Sequence, residues 1–319
     1  MITQLFSSSR KLLTSILMLG GLFLPFNAWS SDLACDLEYL YSQKTTGILY
    51  QIKSKAMPTS FLFGTMHIGT PKFQELPETV KNAISQSQVY LTESPIGIEA
   101  MENVKSMLYL QEGKTLRTTL RDDVYAKYQA WLNRLKVTKE MQEKMEGWSP
   151  LNIGSIFFSG LPETKGLERL DVMMLKVATE QSLEIMSVEN SQEWGQALKS
   201  LTNEDWSNLF NEMLEDEKCA SCEKERLLYI RCSLELTRIG RTEEFFSAQI
   251  KYLSNRPGER NYHEKTSTSR NKHQATNINK LIQEQAKPMF FTVGASHILG
   301  PLGVVQRLRD MGYIIEKVK

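Results

Sequence analysis

Histidine and cysteine are scarce in this chain of 319 residues, with four of each, and neither sign of charge is in excess. Thirty-eight lysines and arginines face thirty-seven acids, a formal charge of +1, and no stripe of basic residues stands out. That balance lacks the electrostatic footprint of a nucleic-acid binder. Long apolar runs are missing too. The only extended one, Leu12 to Phe26, is about 15 residues, short of the roughly 20 that a membrane-spanning helix needs, so no stable membrane insertion is expected.

What is present at the N-terminus is the pattern of a cleavable export signal. Arg10 and Lys11 precede the apolar run, which carries Gly20, Gly21 and Pro25, and Ala28-Trp29-Ser30 supplies small residues where a signal peptidase reads. Cleavage after Ser30 is expected, giving a signal peptide over 1–30, a single domain over 31–319, and a periplasmic or secreted location. Loss of Arg10 and Lys11 leaves 36 basic against 37 acidic residues, a formal charge of −1. Leu33-Ala34-Cys35 looks like the end of a lipid-attachment box, but Asp32 stands where an apolar residue is wanted, so lipidation is not expected. Cys35, Cys219, Cys222 and Cys232 all survive cleavage, and an even count in an oxidising compartment points to two disulfides, with three pairings open. Cys219 and Cys222 also have the spacing of a redox pair or half a zinc site, although no thioredoxin-like strand precedes them.

Both ends of the mature chain read as α/β structure. Ser60 to Gly64 is a short buried strand; Val80, Ala83 and Ile84 mark a helix; and Val89 to Glu93 is the next strand, a β-α-β unit that favours a parallel pair. The C-terminal end repeats the pattern with a strand over 289–293, a helix over 303–311 stopped by Gly312, and a strand over 313–318. Between them, from about 101 to 285, the chain is mainly helical and polar. Tyr125, Tyr128, Trp131, Leu132 and Leu135 fall at helical spacing as a packing stripe. Leu170, Met173, Met174 and Val177 mark a further helix, Leu183 to Glu189 a third strand, and Thr202 to Asp205 a capping box. Residues 254–274, rich in Asn, Arg, Ser and Thr, read as a loop in which His263 and His273 are solvated. The fold class is therefore α/β, with a mixed, mainly parallel sheet, paired β-α-β ends and a large helical insertion.

Two of the four histidines share one setting. Phe61-Leu62-Phe63-Gly64-Thr65-Met66-His67-Ile68 and Phe291-Thr292-Val293-Gly294-Ala295-Ser296-His297-Ile298 are each an apolar strand followed by G-x-x-H-Ile. The glycine permits a tight turn, and the histidine arrives just beyond the carboxyl end of a strand, where open α/β sheets bind ligands. Glu93 and Glu189 end two other strands in the same way. If those ends share an edge of the sheet, two imidazoles and one or two carboxylates suit a first-row divalent metal.

These segments, with Arg270-Asn271 ahead of the closing helix, resemble the TraB/GumN family, which includes the animal TIKI proteins and is related to erythromycin esterase and ChaN-like proteins. The resemblance covers most of the mature chain and is strongest at its ends. It implies a metal-dependent hydrolase acting on a peptide or protein, with His67, His297 and Glu93 as metal ligands for manganese, cobalt, zinc or iron. Glu93 or Glu189 would be the catalytic base, and Arg270 would offset developing negative charge. ChaN-like kinship also leaves open a non-catalytic haem- or metal-binding protein, and a third reading is an interaction protein with a degenerate site.

Overall fold

The computed structural model describes residues 35–97, 107–157 and 161–318, all within a compact unit that runs from Leu33 to Lys319. The expected signal peptide lies outside the described residues. Strands β1 (Ile48–Lys53), β2 (Ser60–Thr65), β3 (Val89–Thr92), β4 (Glu184–Ser187), β5 (Met289–Gly294) and β6 (Ile314–Lys317) form a six-stranded sheet in the order β4-β3-β5-β2-β1-β6. The pairs β4–β3, β3–β5 and β5–β2 are parallel, and β1 is antiparallel to both β2 and β6. Five strands thus point one way and β1 the other.

The central strands explain themselves. Every residue of β2 and of β5 is buried, as expected for near-continuous apolar runs covered by helices on both faces. On one face Leu62, Phe291 and Val293 pack against Ala275, Ile278 and Ile282 of the long helix Ser269–Gln285 and against Val304 and Leu308 of the helix Val304–Asp310. On the other face Phe61, Phe63, Tyr90 and Phe290 meet Val80 and Ile84 of the helix Glu78–Ser85 and Met174 and Ala178 of the helix Leu170–Glu180. Leu116, Val124, Tyr128, Trp131 and Leu132 build a separate helical core with Leu209, Phe210 and Leu214, with Tyr125 packed against it, so the stripe of the middle is packing except for Leu135, which is exposed at the end of its helix. Among the described residues no helix is long and apolar enough to cross a membrane.

Three expectations change. The two β-α-β units join strands of the same direction but not neighbours: β5 lies between β2 and β3, while β2 and β1 lie between β5 and β6. Strand β1 and the helix Leu37–Ser42 went unread in the sequence. Residues 254–274 are not a loop. Pro257 opens a helix Pro257–His263, a π-helical turn Glu264–Thr268 follows, and the chain runs on into Ser269–Gln285. The polarity that suggests a loop serves internal partners instead. Arg256 pairs with Asp216, the Gly258 and Glu259 amides donate to the Glu212 carboxylate at 2.7 and 2.9 Å, and Lys265 pairs with Asp205 at 2.7 Å. Within this stretch His263 is half-buried against Gln249 at 3.1 Å, and burial lowers its pKa, whereas His273 is exposed.

The cysteines pair as Cys35–Cys232 and Cys219–Cys222, leaving none free among the described residues. Such bonds persist in oxidising compartments.

Candidate functional site at the carboxyl edge of the sheet

Register decides which side chains can meet. Strands β2 and β5 run parallel with Phe61 opposite Phe290 and Thr65 opposite Gly294, so the two G-x-x-H segments leave adjacent strands at the same level. Leu91 of β3 lies opposite Phe291, and the Val188 and Glu189 amides donate to the Thr92 and Glu93 carbonyls at 2.8 and 3.0 Å. The carboxyl ends of all four strands therefore share one edge.

The motif glycines earn their place by space rather than by turn geometry. Gly294 has φ −55°, available to any residue. A Cβ there would sit 3.3 Å from both Glu93 Oε2 and His297 Cδ2, and one on Gly64 would sit 3.0 Å from Ile298 Cδ1 and 3.1 Å from Ile48 Cβ.

Arg270 is the hub. Its Nε donates to Glu189 Oε1 at 3.0 Å, its Nη2 bonds both Glu189 Oε2 and Glu93 Oε1 (2.6 Å to the latter), and its Nη1 lies 3.4 Å from His297 Nε2. The Gly294 amide donates to Glu93 Oε2 at 2.6 Å. Gln274 donates to Glu189 Oε2 at 3.1 Å. Burial resists ionisation of Glu93, but His297, Arg270, His67 and the Gly294 amide outweigh it and hold the carboxyl at about 2. Glu189, almost without exposure, is pushed the other way: burial raises its pKa in spite of Arg270. One guanidinium between two carboxylates leaves a unit of negative charge for a proton or a cation to balance.

The histidines are oriented from behind. His297 is buried and its Nδ1 donates to Asn271 Oδ1 at 2.7 Å, while the Asn271 amide nitrogen is held by the Leu302 carbonyl at 3.0 Å. This fixes the tautomer with a lone pair on Nε2, 3.7 Å from Glu93 Oε1, and burial lowers the ring's pKa to about 4, so it is neutral near pH 7. His67 is exposed, with its Nδ1 3.4 Å from Asp171 Oδ2; that hydrogen bond raises its pKa. The other Asp171 oxygen is buried without a partner.

Glu93, Glu189, Arg270 and His297 are thus in direct contact as one network, and His67 acts on Glu93 through charge. Among the described residues no three His, Cys, Asp or Glu side chains stand together as a ready cage for an ion. The donor chemistry nevertheless fits a divalent cation, with an unprotonated imidazole nitrogen on His297 beside the ionised carboxylate of Glu93, although Arg270 Nη1 stands 3.4 Å from that nitrogen. Three residues were missed as parts of the site. Asp171 sits in the first turn of its helix, where an acid needs no further reason. Asn271 and Gln274 continue the face of Arg270, Ala275, Ile278 and Ile282, a helical period that the run of Asn, Arg, Ser and Thr before it masks in the sequence.

The fold and site define a class: an α/β domain that gathers paired histidines, carboxylates and an arginine at the carboxyl edge of its sheet. Residues 48–317, from the first residue of β1 to the last of β6, match the TraB/PrgY/gumN family, and the chain belongs to that family. It is also similar to a Metalloprotease TIKI homolog from Amphimedon queenslandica, 21% identical over 343 aligned positions. That alignment covers 88% of this chain and 63% of the relative, so the chain spans less than two thirds of the relative's length. No solved structure matches.

Proposed function

We propose that this protein is an exported metal-dependent hydrolase of peptide bonds, with His67 and His297 through Nε2 and Glu93 through its carboxylate holding a divalent cation, manganese, cobalt, zinc or iron. The observation that carries the reading is the meeting of Glu93, Glu189, His297 and Arg270 at the carboxyl edge of the sheet, two carboxyl groups and an unprotonated imidazole around a single guanidinium. Similarity to a protein described as a metalloprotease supports it. The two disulfides and the leader pattern support export.

When bound, such an ion supplies Lewis acidity to a carbonyl oxygen and to water. The chain's own residues do the rest. Asn271 and Asp171 hold the rings of His297 and His67 by Nδ1, so that Nε2 of each is the coordinating nitrogen, in His297 in place of its 3.4 Å approach to Arg270 Nη1. Arg270 offers cationic N–H groups to negative charge developing on the substrate. Glu189 is the weaker candidate for base, because both its oxygens are engaged by Arg270 and Gln274; it holds Arg270 in place. The surroundings of His297 Nε2, with Arg270 Nη1 at 3.4 Å and Glu93 Oε1 at 3.7 Å, favour a small ion over a haem.

The test is metal content by elemental mass spectrometry on the oxidised protein after exposure to each candidate ion, alongside cleavage of a peptide library with and without chelator. Near-stoichiometric metal lost in His297→Ala and Glu93→Ala, with cleavage that chelator abolishes, is expected. Absence of bound metal after reconstitution would overturn the proposal.

A further inference from the structure

We infer that the Cys219–Cys222 disulfide is a thiol–disulfide exchange site that takes electrons from a dithiol. It is independent of the His67 and His297 site.

The two disulfides differ in every respect that decides lability. Cys35–Cys232 closes a sequence separation of 197 residues, and Cys232 is fully buried. Cys219–Cys222 closes a separation of 3, and both residues are partly exposed. By loop-closure entropy the long bond restricts the unfolded chain several hundred-fold more than the short one, roughly the 3/2 power of the length ratio. Stabilising the fold is therefore a sufficient reason for the first bond and a poor one for the second.

The short bond lies where a thiolate is favoured. Cys219 is the N-cap of the 19-residue helix Ala220–Arg238, its Sγ accepts from the Cys222 amide at 3.2 Å, and Ser221 Oγ lies 3.2 Å from the same sulfur. Helix N-termini and amide donors of this kind stabilise a cysteine thiolate. The acids before it are occupied: Glu215 pairs with Lys127 at 2.8 Å, Asp216 with Arg256 and Glu217 with Arg134 at 3.4 Å, while Glu223 of the first helical turn opposes a thiolate.

The exchange balances with a dithiol as the co-reactant. One thiolate of the donor attacks Cys219 Sγ; the Cys219–Cys222 bond breaks, and Cys222 leaves with the electron pair and takes up a proton. The donor's second thiol, deprotonated, then attacks its own sulfur in the mixed disulfide, and Cys219 leaves as a thiolate on the Cys222 amide. The donor is oxidised to a disulfide by two electrons, and the protein gains a dithiol.

The experiment treats the full-length oxidised protein, under native conditions, with reduced dithiothreitol, traps thiols by alkylation at intervals, and reads each cysteine by peptide mass. Cys219 and Cys222 are expected to be alkylated about 100-fold faster than Cys35 and Cys232. In Cys222→Ser, the Cys219 thiol is expected to react with an aromatic disulfide reagent about 10-fold faster than the Cys222 thiol in Cys219→Ser. Catalytic amounts of a two-cysteine redox protein added to the dithiothreitol separate the sources: acceleration assigns a protein donor, and an unchanged rate assigns a small dithiol. Equal rates for both disulfides, or opening of Cys219–Cys222 only in denaturant, would overturn the inference.

Discussion

His297 and Arg270 concentrate the chemistry of the site into a few atoms, and each gives a measurable consequence. Asn271 holds His297 by Nδ1 at 2.7 Å, so Asn271→Ala frees the ring to rotate, and metal affinity read by calorimetry is expected to fall about 10–100-fold with the fold intact. The ring's pKa of about 4, below the ordinary 6.5, means that the folded state binds fewer protons than the unfolded state between those values. Stability from this group is therefore full above about 6.5 and lost as pH falls toward 4, by about 3 kcal/mol. Denaturation of metal-free protein across that window should follow this slope, and His297→Gln should flatten it. Arg270→Met leaves Glu93 and Glu189 buried without their cation, and a loss of about 3–5 kcal/mol at pH 7 is expected. Because burial already raises Glu189, that deficit should shrink as the pH falls and the carboxyl takes a proton; a deficit that stays constant with pH would contradict it.

At the scale of elements, the sequence is most readable where strands and motifs coincide. The apolar runs of β2 and β5, the two histidines past the strand ends and the approximate places of Glu93 and Glu189 follow from patterns of a few residues, although β3 stops at Thr92 and β4 at Ser187, so both carboxylates lie just beyond their strands and not within them. Strand order does not, since nothing local says that β5 enters between β2 and β3. Nor does the helical stretch over 257–274, whose polar residues find partners that are distant in the chain, as Lys265 does in Asp205, whereas the helix near Asn277 to Gln285 is legible in the sequence. The shared edge itself depends on parallel pairing of β2 with β5, and Gly64, opposite Val293 in that pairing and Ile48 in the pairing with β1, has little room for a side chain. Gly64→Ala would force a methyl to 3.0 Å from Ile298 and 3.1 Å from Ile48, cross-strand neighbour and cover at once, at a cost of about 1–3 kcal/mol in chemical denaturation. An unchanged midpoint would mean that the sheet yields there without penalty.

Over the whole molecule, the first described helix and the last third of the chain are held together by one long-range arrangement. Cys35 bonds Cys232 across 197 residues, and one turn and a half further on Arg238, buried, donates to the Leu40 carbonyl at 2.7 Å and to the Gln43 carbonyl at 2.8 Å. The Thr46 and Gly47 amides in turn donate to the Arg238 carbonyl at 3.0 and 2.8 Å, which sets the entry into β1. Because β1 joins β2 to β6, its placement governs the antiparallel half of the sheet. An even cysteine count made two bonds readable in the sequence, but the pairing rests on this tertiary contact and was not. In the chain-entropy account, closing so long a loop contributes about 5 kcal/mol. The double variant Cys35→Ser, Cys232→Ser should lose stability of that order in guanidinium denaturation, while Cys219→Ser, Cys222→Ser should stay within about 2 kcal/mol of the parent. A larger loss from the second pair than from the first would mean that the short disulfide, not the long one, secures the fold.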